Sequence, residues 1–238
     1  MLFVIKMKGD KKMKRFISVM FLVGALLGVS IFGFFGVAGA TTYSASDIKN
    51  GYDSNTFVTA SGALELKSLA GFTGVGTSSG PVAGEIDYGV NDWIKINFAS
   101  PVSLQEITLG TLFANRNYGD NVNEIAKIEY GPGLNDFVTL QATGATTYIY
   151  SGLGSVTNLS FGTDTYGGVW KITNPFGGQA VNYIKFTALD GGLGRTGSDN
   201  SDFDVVSVST TSVPEPTSLL LLGFGLVGLA GLSRKLRK

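Results

Sequence analysis

The 238-residue sequence contains no cysteine and no histidine. Without cysteine, no disulfide staples the fold and no thiolate binds metal. Without histidine there are no imidazole ligands, and Ser-His-Asp and Cys-His catalysis are both excluded. Whatever fold the chain adopts must be held by its own hydrophobic core. Charge is also sparse: Asp, Glu, Lys and Arg make up 15% of the residues, and the 18 of each sign cancel. That balance hides a segregation. Residues 1–40 carry six basic side chains and one acid, Asp10, and the tail from Pro214 carries four basic residues and Glu215. Between them lie only eight Lys/Arg against sixteen Asp/Glu. This acidic middle argues against nucleic acid or an anionic membrane as partner, and it favours solubility and, less strongly, divalent cations.

The middle also lacks sustained helical periodicity, internal repeats and any carboxylate pair whose spacing assigns a glycoside-hydrolysing site. Its carboxylates stand singly, with Glu106 and Glu129 expected on solvent faces. The chain is therefore expected not to be an enzyme and to require no cofactor.

Both ends are apolar. Lys6, Lys8, Lys11, Lys12, Lys14 and Arg15 precede a run from Phe16 to Val37 that is nearly all apolar or small, then Ala38-Gly39-Ala40. A basic region, an apolar region and a small-x-small site describe a signal peptide cut by signal peptidase after Ala40. An uncleaved anchor is the alternative, and Met13 is an alternative start. At the other end, Pro214-Glu215-Pro216 leads into Leu219–Leu232 and then Arg234, Lys235, Arg237 and Lys238. Fourteen apolar residues make about 21 Å of helix against a hydrocarbon core of about 30 Å, a marginal span. The basic end would stay in the cytoplasm, with the rest of the chain outside.

The tail, from Val213 through Pro214, Glu215 and Pro216 to Lys238, resembles the PEP-CTERM sorting signal of Gram-negative bacteria. That resemblance implies recognition by a membrane-embedded exosortase, transient anchoring in the inner membrane, removal of the tail, and release to the cell surface or extracellular matrix. An ordinary single-pass anchor is the competing reading.

Residues 41–213 read as about ten short strands between glycine and asparagine turns. Ile94, Ile96 and Phe98 share one face, as do Ala126, Ile128 and Tyr130, and Ile184, Phe186 and Ala188. Asp204, Val206 and Val208 alternate with Phe203, Val205 and Ser207. Further strands are expected at Leu64–Leu69, Val102–Leu109, Phe137–Gln141, Thr146–Tyr150, Val156–Phe161 and Val169–Thr173. Trp93 and Trp170 are expected in the core. Many strands without helices make a sandwich or barrel. The order Asn91–Phe98, Val102–Leu109, Ile128-Glu129-Tyr130, Asn135–Leu140, Val181–Phe186 and Asp204–Val208 resembles a discoidin-like, galactose-binding-like jelly roll.

The expected architecture is thus all-β: a signal helix and signal peptide at 1–40, a single jelly-roll-like β-sandwich at 41–212, and the sorting signal with its apolar helix at 213–238. Two kinds of site are expected in the sandwich. The densest acidic cluster, Asp199 to Asp204, has the oxygen donors that Ca²⁺ prefers but not EF-hand spacing. By analogy with the jelly roll, Asp53, Asp202 and Asp204 would form the metal site; turn capping by Asp and Asn is the competing reading. The loops Gly110–Asn123 and Asp190–Asp202 carry Asn115, Arg116, Tyr118 and Arg195, a group suited to sugar hydroxyls. Two roles follow: a structural or adhesive matrix component, or a carbohydrate-binding module for exopolysaccharide.

Overall fold

The computed structural model describes residues 39–51, 56–69, 71–80, 82–114, 122–131, 136–160, 167–192, 200–213 and 223–224. The chain divides into two units, Met1–Gly39 and Ala40–Lys238. In the second unit the described elements run in the order β1 (Ala40–Ser44), α1 (Ala45–Lys49), β2 (Thr56–Ala60), β3 (Leu64–Leu69), β4 (Phe72–Thr77), β5 (Trp93–Phe113), β6 (Ile125–Gly131), β7 (Asp136–Ala142), β8 (Tyr148–Tyr150), β9 (Ser155–Asn158), β10 (Gly167–Thr173), β11 (Ala180–Leu189) and β12 (Asp204–Ser212). All strand pairs are antiparallel, so the fold is all-β.

The architecture turns on β5. The sequence pattern divides this stretch into two strands, yet it is one strand of 21 residues that runs through Pro101. Its first half pairs with β2 on one side and β11 on the other, and β6, β7 and β8 follow outward from β11. Its second half pairs with β10 and β12. Beyond β10 lies β9, and beyond β12 lie β1 and the β4–β3 hairpin.

Both halves bury one side of each strand. Ile94, Ile96, Ile184, Phe186 and Ile128 come from the first half, and Ile107, Leu109, Trp170, Ile172 and Val205 from the second, all into one core. Ile94/Ile96/Phe98 and Ile184/Phe186/Ala188 point inward as their alternation predicts. Transfer of each large aliphatic side chain contributes about 1.5–3 kcal/mol. Trp170 is fully buried and donates its indole N–H to the Leu112 carbonyl at 2.9 Å. Trp93 is not a core residue: it is half-buried, with the Lys185 ammonium 5.5 Å from its ring centre.

Two departures from the sequence pattern have local causes. The pairing of β12 with β5 shifts between Val205 and Ser207. A bulge inserts one residue and reverses the in-out phase. Val205 and Val208 therefore both enter the core, and Val206 does not. The one-turn helix α1 is held by a capping box, in which the Ser44 hydroxyl and Asp47 carboxylate each bond the other's backbone N–H. Five residues are too few to show periodicity.

Candidate functional site

A short ladder lies just before β12. The N–H of Ile86 donates to the carbonyl of Phe203 at 2.7 Å, and that of Tyr88 to the carbonyl of Ser201 at 3.0 Å. These two bonds run the segments antiparallel and bring Asp87 across from Asp202. Alternation puts the acids on one face, while Ile86 and Phe203 enter the core. Carboxylate oxygens of Glu85, Asp87 and Asp202 all lie within 4.8 Å of one another.

The surroundings are built to accept this crowding. Asp87 and Asp204 are each 2% exposed. Asp87 Oδ2 and Asp204 Oδ1 are buried without a hydrogen-bond partner. A Cβ at Gly80 would collide with the Asp87 carboxylate, and one at Gly74 with that of Asp204. Glycine at these positions leaves the room the acids occupy. The Lys67 ammonium pairs with Glu85. Asp92, by contrast, is satisfied: it accepts the Thr77 hydroxyl at 2.7 Å and the Ser61 hydroxyl at 2.9 Å.

Proton affinities follow from this geometry. Burial, then the charges of Glu85 and Asp92, push Asp87 up from 3.8 to about 7, against the pull of Lys67. Burial and then Glu85 push Asp204 to about 7, again against Lys67. Nearby, Asn200 is almost fully buried, and its side chain takes the N–H groups of Gly191 and Ser201 and donates to Asp190. That donation, with the Gly192 N–H, holds Asp190 below the usual carboxylate range. Ser201 fastens the same segment to β6 by exchanging hydrogen bonds with the backbone of Ile125.

Of the residues expected from sequence to bind metal, Asp202 lies within the carboxylate triad. Asp204 lies beside it, tied electrostatically to Glu85. Asp53 lies outside the described residues, as do Asn115, Arg116, Tyr118 and Arg195 of the expected sugar site and Pro214, Glu215 and Pro216 of the tail. The sequence reading missed Glu85 and Asp87. Their signal is Glu85-Ile86-Asp87, with acids at i and i+2 around a core isoleucine, in a glycine-rich stretch.

A second surface is the outer side of the β2–β5–β11–β6–β7 strands. Lys95, Lys185, Glu129 and Phe137 form one cross-strand row. Lys95 sits 4.2 Å from the Tyr183 ring centre, and Lys127 4.7 Å from that of Phe137. Glu129 receives Lys127 at 2.6 Å and Lys185 at 3.5 Å. Burial alone would raise its pKa, but the two lysines outweigh burial and hold it below its ordinary value. Phe57, on β2, is 65% exposed. Cations, aromatic rings and little acid therefore gather on one face of an otherwise acidic domain.

Residues 212–235 match the PEP-CTERM protein-sorting motif. The match supports an exported, cell-envelope-associated protein processed by an exosortase. It begins where β12 ends, at Ser212. Among the described residues no helix is long and apolar enough to cross a membrane; of the two expected apolar helices, all but Gly223 and Phe224, which are helical, lie outside those residues. No curated protein matches the chain. A solved structure of the arabinofuranosyltransferase AftD from Mycobacteria aligns at 15% identity and a TM-score of 0.29, over 66% of this chain and 11% of its own. At that score the likeness assigns neither fold nor activity.

Proposed function

We propose that the chain is a non-enzymatic protein of the cell surface or extracellular matrix of a Gram-negative bacterium. Signal peptidase removes the N-terminal segment. The tail holds the protein in the inner membrane until an exosortase cuts near Pro214-Glu215-Pro216. What remains is a jelly-roll-like β-sandwich with a structural or adhesive role and no required cofactor. One observation carries this reading: the twelve strands among the described residues are complete by Ser212, where the sorting motif begins. Cutting beyond that point leaves the described strands and the core they form intact. The two halves of β5 feeding one core support the sandwich. Deleting residues 214–238 tests the sorting step. The truncated chain should fold, export and appear in the medium without attachment, whereas unchanged envelope retention would refute a sorting role for the tail.

The outer face of the β5–β11 strands favours a second reading, a carbohydrate-binding module for exopolysaccharide. Exposed and half-buried rings can stack on sugars, while Lys95 and Lys185 reach hydroxyl or carboxylate groups. Affinity electrophoresis through purified exopolysaccharide tests it. Migration should be retarded, and Trp93→Ala with Tyr183→Ala should abolish the retardation. Equal mobility with and without polysaccharide would leave the structural role standing alone.

A further inference from the structure

We propose that Glu85, Asp87 and Asp202 bind one Ca²⁺ ion, which ties the segment around Ile86 to the strand that follows Asp202. This goes beyond the sorting and matrix reading and does not depend on it. Ca²⁺ takes oxygen ligands at 2.3–2.6 Å, so ligands on opposite sides of it stand about 5 Å apart. The three carboxylates, mutually within 4.8 Å, have that spread. The independent observation is Asp87 Oδ2, an oxygen of a 2% exposed carboxylate that has no hydrogen-bond partner. Native interiors seldom leave such a group unanswered, because the cost is about 1–3 kcal/mol and more when it is charged.

Lys67 supplies one charge, through Glu85. Asp87 also has Asp92 near it, and Asp204 has Glu85. Lys67 is better read as a tethered competitor that occupies Glu85 when the metal is absent. Asp204 lies behind the triad, between Gly74 and Gly110, and adds its field without joining the ligands. With a lysine to displace and water completing the shell, affinity is expected at about 10⁻⁴–10⁻³ M, in the range of extracellular modules.

The test is equilibrium dialysis of the full chain in mild detergent, stripped with chelator and verified metal-free, against Ca²⁺ alone up to millimolar concentration. One Ca²⁺ per chain should bind saturably, and Mg²⁺ should compete poorly because it demands tighter octahedral geometry. Asp87→Asn and Asp202→Asn should each weaken binding about tenfold or more, as ligand charge sets affinity. Asp136→Asn, at an exposed position on β7, should leave it unchanged. Lys67→Met should tighten it several-fold by removing the competing ammonium. Absence of saturable binding, or unchanged affinity in Asp87→Asn and Asp202→Asn, overturns the proposal. If those two variants fail to fold by circular dichroism, Lys67→Met decides: tighter binding supports the site, and unaltered binding refutes it.

Discussion

Ala40 pairs with Thr211 at one end of the ladder between the first and last strands. Ala40 is the residue after which signal peptidase is expected to cut, and Thr211 immediately precedes the sorting motif. The residue at the expected signal-peptidase cut and the residue just before the sorting motif therefore meet at the same end of the β1–β12 ladder. A protein trimmed there keeps Thr41–Ser44 paired with Ser207–Thr210, so its new termini stay tied to the sheet. Intact-mass measurement of native protein from the cell surface should show loss of residues 1–40 and of the residues beyond Pro214-Glu215-Pro216. Recovery of mature extracellular protein that still ends in Lys238 would sink the sorting prediction.

Facing along β5 gives a mutational contrast. Ile96 is fully buried between Val58 on β2 and Ile184 on β11, while its neighbour Lys95 lies over Tyr183 on the outer side. Ile96→Asp forfeits about 1.5–3 kcal/mol of transfer energy and buries an unpaired charge, which should prevent folding. Lys95→Asp removes a half-exposed cation–π contact worth about 0.5–1 kcal/mol and should fold normally. Circular dichroism and soluble yield read the difference, and equal effects would mean that the face assignment is inverted.

Trp170 offers a separate check on the core. Trp170→Phe keeps an aromatic ring but removes the N–H that reaches the Leu112 carbonyl and leaves unfilled volume. The two losses together should cost on the order of 2–4 kcal/mol. Thermal melting should show the drop while the strand signal at room temperature persists. A melting temperature unchanged by this substitution would show that the second half of β5 is not packed as described.

The parts of the fold legible in sequence are those where one side of a regular strand is buried. Ile94/Ile96/Phe98 and Ile184/Phe186/Ala188 announce their facing because nothing interrupts the two-residue period. Val206 misleads because a bulge between Val205 and Ser207 breaks that period, and bulges follow from pairing with β5, a partner about 100 residues away. Glu85 and Asp87 were missed for a different reason. Nothing in Glu85-Ile86-Asp87 by itself says that its acids are buried; Gly80 leaves the room for the Asp87 carboxylate, and that contact exists only in the fold. Asp202 was legible because Asp and Asn cluster around it. Its partners were not, since they lie more than a hundred residues earlier. The tail was readable without any structure, because its meaning lies in the order of motif, apolar run and basic end.

The buried acids predict how stability depends on pH. Asp87 and Asp204 have folded values of about 7 against 3.8 as ordinary carboxylates. Between those values the folded chain holds more protons than the unfolded chain, so stability falls as pH rises through that window. Below about pH 4 both states are protonated, and above about pH 7 both are ionised, so the contribution is flat on either side. Glu85 raises both acids, Asp92 raises Asp87, and Lys67 opposes both shifts. Asp47, Glu129 and Asp190 are held below their ordinary values and give the opposite slope, but only below about pH 4.5, outside this window. Metal-free full chain should therefore melt at a higher temperature near pH 5 than near pH 8, and Asp87→Asn should flatten the difference by removing one of the two acids. Added Ca²⁺ should act in the other direction, stabilising more near pH 8 than near pH 5, because it binds ionised carboxylates and competes with their protons. A metal-free melting temperature that climbs steadily from pH 5 to pH 8 would show that burial and Glu85 do not raise Asp87 and Asp204 as described.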